Sequence, residues 1–123
     1  MKYLLLINND PAEVATATAA DNGQSMMAEY WAFTNRITES GELVAGDPLE
    51  DVHTATTVRT RTGATTVTDG PFAETKEHIA GYYVVDVASL DRALELAKQI
   101  PAARLGSVEV RPIVDMSMGP TEG

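Results

Sequence analysis

Cysteine is absent from the 123 residues. That excludes disulfides, zinc–thiolate sites and a thiol nucleophile, and it fits a cytoplasmic protein. Basic residues are scarce: 9 stand against 18 acidic ones, for a net charge of −9. Nucleic acid, whose binding needs a basic surface to displace counterions, is not an expected partner, and neither is an anionic membrane. Long apolar runs are missing too. Tyr3-Leu4-Leu5-Leu6-Ile7 stops at Asn8-Asn9-Asp10-Pro11. It is too short for a signal-peptide core or a membrane span and reads as a strand. His53 and His78 are the only histidines, and neither sits in a metal-ligand spacing, so no metal site is expected. Either imidazole can act as a general base, but both lie in polar, loop-like surroundings that suit plain surface residues. No Gly-x-Ser-x-Gly elbow and no glycine-rich phosphate loop occurs, and no cofactor is expected.

What is present is an ordinary globular composition, 44% hydrophobic and 22% charged. Disorder is therefore not expected outside the ends. The length predicts a single domain over residues 1–115 with a frayed tail over 116–123. Tyr3–Ile7 is predicted to be a central strand, apolar on both faces. Residues 12–23, rich in Ala and Thr, read as a loop with room for one helical turn. Ser25 reads as the N-cap of a helix whose stripe is Met26, Tyr30, Phe33 and Ile37, widened by Met27, Trp31 and Thr34 and closed by Gly41. Aromatic residues at that spacing are expected in the core. A short strand over 43–49 bends at Pro48. Residues 54–62 and 64–68 form a hairpin turned at Gly63. A long strand over 79–87 follows. Ser89 caps a helix with the stripe Leu90, Ala93, Leu94 and Ala97, stopped by Pro101. After a loop over 102–106, Val108 and Val110 alternate with Glu109 and Arg111 in a last strand. Pro112 marks that strand as an edge or an end.

The order β, α, β, hairpin, β, α, β predicts an α+β fold. It is a ferredoxin-like split βαβ antiparallel sheet with its helices on one face and an inserted hairpin. Two strands apolar on both faces then leave one face without cover. A second copy of the same sheet is the simplest cover, which predicts a homodimer.

One stretch concentrates the polar chemistry: Thr68-Asp69-Gly70-Pro71-Phe72-Ala73-Glu74-Thr75-Lys76-Glu77. It reads as the lip of a pocket. Gly70 before Pro71 is pushed out of the helical region. Asp69 is either an Asx-turn residue that pins this corner or an acid/base group at a cavity mouth, and both readings stay open. As a base it needs burial beside Phe72 to raise its pKa. Lys76, between Glu74 and Glu77, is either a solvated ion-pair partner or a clamp for an anionic group. Tyr30 is the polar contact on the first helix, and Phe72 and Tyr82 are the apolar walls. The expected function is a small-molecule-binding protein or cofactor-independent enzyme. The alternative is a regulatory module whose acidic surface meets a basic protein partner.

The same ten residues resemble the signature of the DGPF branch of the YCII-related (YciI-like) family. Gly46-Asp47-Pro48-Leu49, Gly81-Tyr82-Tyr83, Ile100-Pro101-Ala102-Ala103-Arg104 and Gly106-Ser107-Val108-Glu109-Val110-Arg111-Pro112 match it as well, so the resemblance spans nearly the whole chain. It implies a ferredoxin-like subunit that dimerises into an α/β barrel. Relatives are thought to carry a His–Asp pair in a cleft. Here Tyr30 stands where they have the His, which weakens any transfer of that pair. Members of the branch are often encoded beside extracytoplasmic-function sigma factors, which implies a sigma factor as the partner in the regulatory alternative.

Overall fold

Strand alternation decides which side of each segment meets the core. In the computed structural model, which describes residues 1–117, β1 (Lys2–Asn9) buries Tyr3, Leu5 and Ile7 on one face and leaves Leu4 and Leu6 half-buried on the other. β1 pairs antiparallel with β5 (His78–Asp86) on one side and β6 (Gly106–Pro112) on the other. β2 (Leu43–Pro48) joins the far side of β5, giving the order β2-β5-β1-β6. β1 is thus central. β6 is an edge, where the missing N–H of Pro112 costs no ladder bond.

Two helices cover one face of this sheet. α2 (Gln24–Glu39) buries Phe33 and Ile37, and α3 (Leu90–Lys98) buries Ala93, Leu96 and Ala97. They pack with Tyr3, Leu5, Ile7, Tyr83 and Val85 in one core. The architecture is α+β, antiparallel sheet against helices. No described helix covers the other face, which leaves Leu4, Leu6, Tyr82 and Val84 half-buried.

Four local expectations are corrected. Residues 12–18 are not part of a loop: Pro11–Thr18 form a two-turn helix, α1, which the Asp10 carboxylate caps by accepting the Ala12 N–H at 3.0 Å, and only 19–23 are turn. Ser25 is not the cap of α2. Gly23, at φ +83°, takes that place, and the Asp21 carboxylate accepts the N–H groups of Gly23 and Ser25. The α3 stripe is Ala93, Leu96, Ala97 and then Ile100, whereas Leu90 and Leu94 face solvent at 47% and 39% exposure. Ala102–Leu105 is a single helical turn, α4, rather than a loop.

Other signals held. Gly41 follows Ser40, the C-cap of α2, at φ +79°. Ser89 caps α3 by accepting the Arg92 N–H at 3.2 Å. β3 (Thr56–Arg61) and β4 (Ala64–Asp69) form the expected hairpin, turned by Thr62 at φ +49° and Gly63 at φ +81°. That hairpin is a separate two-stranded sheet, with every residue of β4 exposed. Of the tail expected from Met116 onward, the part beyond Ser117 lies outside the described residues.

Candidate functional site

Helical spacing brings Met26, Met27, Tyr30, Trp31 and Thr34 to one flank of α2, beside but not inside the core stripe. Opposite this flank, the β2–β5 edge is built from small residues. An added Cβ at Gly46 would fall 2.7 Å from Tyr83 Cδ1, and one at Gly81 would fall 2.9 Å from the Asp47 carbonyl oxygen. Between helix and strands lies a cleft of about 520 Å³, a size usual for a small-molecule site. Its walls are mostly apolar: Ile7, Met26, Met27, Trp31, Leu43, Pro48 and Leu49. Trp31 is 62% exposed at its rim, so this indole is not core.

Apart from Asn9 and Asp47, the polar side chains among the lining residues are hydroxyls. Tyr83 is buried, with its ring edge-on to Phe33 at 5.2 Å between centroids. Its phenol shares a 2.8 Å hydrogen bond with the Thr34 hydroxyl. Burial pushes the Tyr30 phenol up to about 12, reinforced by the neighbouring Tyr83. The Tyr30 phenol is therefore neutral far above physiological pH.

Of the residues expected at the site, Tyr30 borders this cleft; Tyr82 lies along it in β5, but strand alternation puts its ring on the sheet face opposite Tyr83, so it is not the apolar wall expected. The Tyr82 hydroxyl donates to Asp47 Oδ2 at 2.7 Å, a bond that raises the phenol's pKa. None of residues 68–77 lines the cleft, so within one chain Asp69, Phe72 and Lys76 do not meet Tyr30 and Tyr82. Asp69 ends the exposed strand β4. The corner after it is pinned through the backbone: the Gly70 N–H donates to the Ala55 carbonyl, and the Gly70 carbonyl accepts the Thr57 hydroxyl, both at 2.7 Å. Gly70 stands at φ +99°, as a Gly-only corner requires. The Phe72 ring is 77% exposed, while its carbonyl accepts Arg59 Nη2 at 3.1 Å. Lys76 Nζ lies 3.5 Å from Oδ2 of Asp10, the one buried charged residue among those described.

His53 is exposed. His78 borders a shallower hollow of about 310 Å³ together with Asn9, Asp51 and Val52. Among the described residues, no group of three or more His, Asp or Glu is placed to hold a metal ion. No described helix is long and apolar enough to cross a membrane. Sequence reasoning missed Trp31, Thr34 and Tyr83 as cleft residues. The signal available was the width of the α2 stripe, which exceeds what one sheet face can cover.

Fold and cleft together describe a small α+β domain with a lateral pocket. Residues 1–117 match the YCII-related domain, and the chain belongs to that family. An uncharacterized protein of Rhizobium meliloti (strain 1021) is 39% identical over 115 residues, covering 92% of each chain. Among solved structures, the chain is similar to 5-chloro-2-hydroxyhydroquinone dehydrochlorinase (TftG) from Burkholderia phenoliruptrix AC1100, in complex with 2,5-dihydroxybenzoquinone. That overlap has a TM-score of 0.48 and 14% identity, over 93% of this chain and 94% of the other.

Proposed function

We propose that this YCII-related protein binds a small organic molecule in the cleft between α2 and the β2–β5 edge. One observation carries the reading: mostly apolar walls border about 520 Å³, with the hydroxyl-bearing Tyr30, Thr34 and Tyr83 among the lining residues. Buried hydroxyls at the wall of an apolar cavity are what fix a ligand's orientation. A thermal-shift screen of the purified protein against a broad metabolite library tests it. The expected result is a raised Tm with a subset of compounds, lost in a Trp31→Ala variant. An unmoved Tm across the library refutes it.

A homodimer belongs to the same reading. The strand order β2-β5-β1-β6 supports a ferredoxin-like split βαβ subunit. The helix-free face with Leu4, Leu6 and Val84 supports a second sheet laid against it as a dimeric α/β barrel. Asp69, Phe72 and Lys76 then enter the site only by way of the partner copy. A clean monomer mass in dilute solution counts against this assembly.

The ten-residue stretch over 68–77 supports placement in the DGPF branch. A regulatory role beside an extracytoplasmic-function sigma factor is the second reading, favoured by the net charge of −9. Pull-downs that recover no basic protein partner at low and physiological salt refute it.

A further inference from the structure

We infer that the cleft takes a neutral, ring-sized molecule with one hydrogen-bonding group, and rejects anions and cations of the same shape. This rests on the cleft being a binding site, and it adds the charge class of the ligand.

Among the described residues, the lining carries no ionised side chain aimed inward. Asp47 borders the cleft, but it pairs with Tyr82 in the β2–β5 ladder, one step from the Gly46–Tyr83 pair. Alternation turns its carboxylate to the sheet face opposite Tyr83, where it accepts the Tyr82 hydroxyl. Arg104, whose charge reaches Tyr30, is held by Glu29 at 2.6 Å. Lys76 is held beside Asp10 and does not line the cleft. A charged ligand would exchange water for apolar walls without a counter-ion. A neutral amide or hydroxyl needs only hydrogen bonds.

Those bonds are on offer. The Thr34–Tyr83 pair uses one hydroxyl hydrogen between its two oxygens. The other hydrogen and the spare lone pairs can serve a ligand as donor and acceptor. The upward shift of the Tyr30 phenol comes first from burial, and the same desolvation opposes any negative charge placed there.

The protein carries its own reporter. Trp31 is the single tryptophan and sits on the cleft rim, so intrinsic fluorescence reads this site. Benzamide, benzoate and benzamidine share a planar shape and differ in charge near neutral pH. Titrated into the full-length protein, benzamide is expected to give a saturable Trp31 response, with the two ions at least roughly tenfold weaker. Thr34→Val and Tyr83→Phe each remove one hydroxyl. Each is expected to weaken benzamide by about three- to tenfold while leaving the response to toluene unchanged.

Equal or tighter binding of either ion overturns the charge class and leaves the binding reading standing. Benzamide binding untouched by both variants overturns the hydroxyl assignment. Silence of Trp31 to all four probes, with an unmoved Tm, overturns this inference and the binding reading together.

Discussion

Gly46→Ala is the substitution that tests the architecture of the cleft floor most directly. Gly46 lies in β2 outside the left-handed backbone region, so alanine faces no conformational penalty there. On unfolded-chain entropy alone the change would stabilise by about 0.5–1 kcal/mol. Sterics oppose it. The new methyl would stand 2.7 Å from Tyr83 Cδ1, 3.1 Å from the Tyr82 carbonyl oxygen and 3.2 Å from Tyr83 Cε1.

The Tyr83 ring cannot swing aside freely. It is 8% exposed, edge-on to Phe33, and tied by its hydroxyl to Thr34. Overpacking of this kind costs about 1–3 kcal/mol, and breaking the Thr34 bond adds about 1 kcal/mol. After the entropic gain, the net loss is about 1–3 kcal/mol. For a chain between the small and mid-sized classes, that lowers Tm by about 4–12 °C. Calorimetry or urea unfolding at constant m-value reads it. Because Gly46→Ala and Thr34→Val disturb the same hydrogen bond, the double variant is expected to lose less than the sum of the singles. An unchanged or raised Tm for Gly46→Ala, or strict additivity, refutes the close packing of β2 against Tyr83.

Three further outcomes follow from the packing and the charges. Phe33→Ala empties a fully buried ring site under Tyr83 and is expected to cost about 3–5 kcal/mol by denaturant titration, a large part of a domain's stability. Glu42 accepts Nε and Nη2 of Arg92 at 2.8 and 2.9 Å, and with help from Ser40 this holds its carboxyl below the ordinary 4.5. A carboxyl held low stabilises the fold above its ordinary value and loses that effect as pH falls through the depressed one. The Tm gap between wild type and Glu42→Gln is thus expected to be full at neutral pH and to shrink below pH 4.5. Asp10→Ala removes the α1 cap and is expected to cost about 1 kcal/mol. Since α1 buries no residue, the change should show as lost helical circular dichroism more than as a lowered Tm.

The elements with local signals were the legible ones. Gly41 after α2, Thr62-Gly63 in the hairpin and Ser89 before α3 each act through their own backbone or a neighbour three residues away. Asp10-Pro11 misled because the same pair that ends a strand also starts a helix, and Ala-Thr composition alone does not separate loop from helix. The α3 face was half legible: Ala93 and Ala97 are buried as expected, but Leu96 rather than Leu90 or Leu94 fills the rest of the stripe.

At the site, helical spacing marked the flank of α2 and brought out Tyr30. It could not tell a cleft wall from a core position, so Trp31 and Thr34 passed as core stripe. The placement of residues 68–77 hangs on contacts distant in sequence, Arg59 with the Phe72 carbonyl and Lys76 with Asp10. Local turn chemistry carries no information about either.

The hairpin has a consequence of its own. β3 and β4 share no ladder with the four-stranded sheet, and the outward pair Val58 and Val67 is 63% and 67% exposed. A two-stranded ribbon with so little packed against it opens without waiting for the domain to melt. Its amides exchange with solvent by subglobal opening, while those of β1 and β5 are protected up to the global free energy. A proteolytic nick between Thr62 and Gly63 would therefore cut the chain in two and leave the folded core standing.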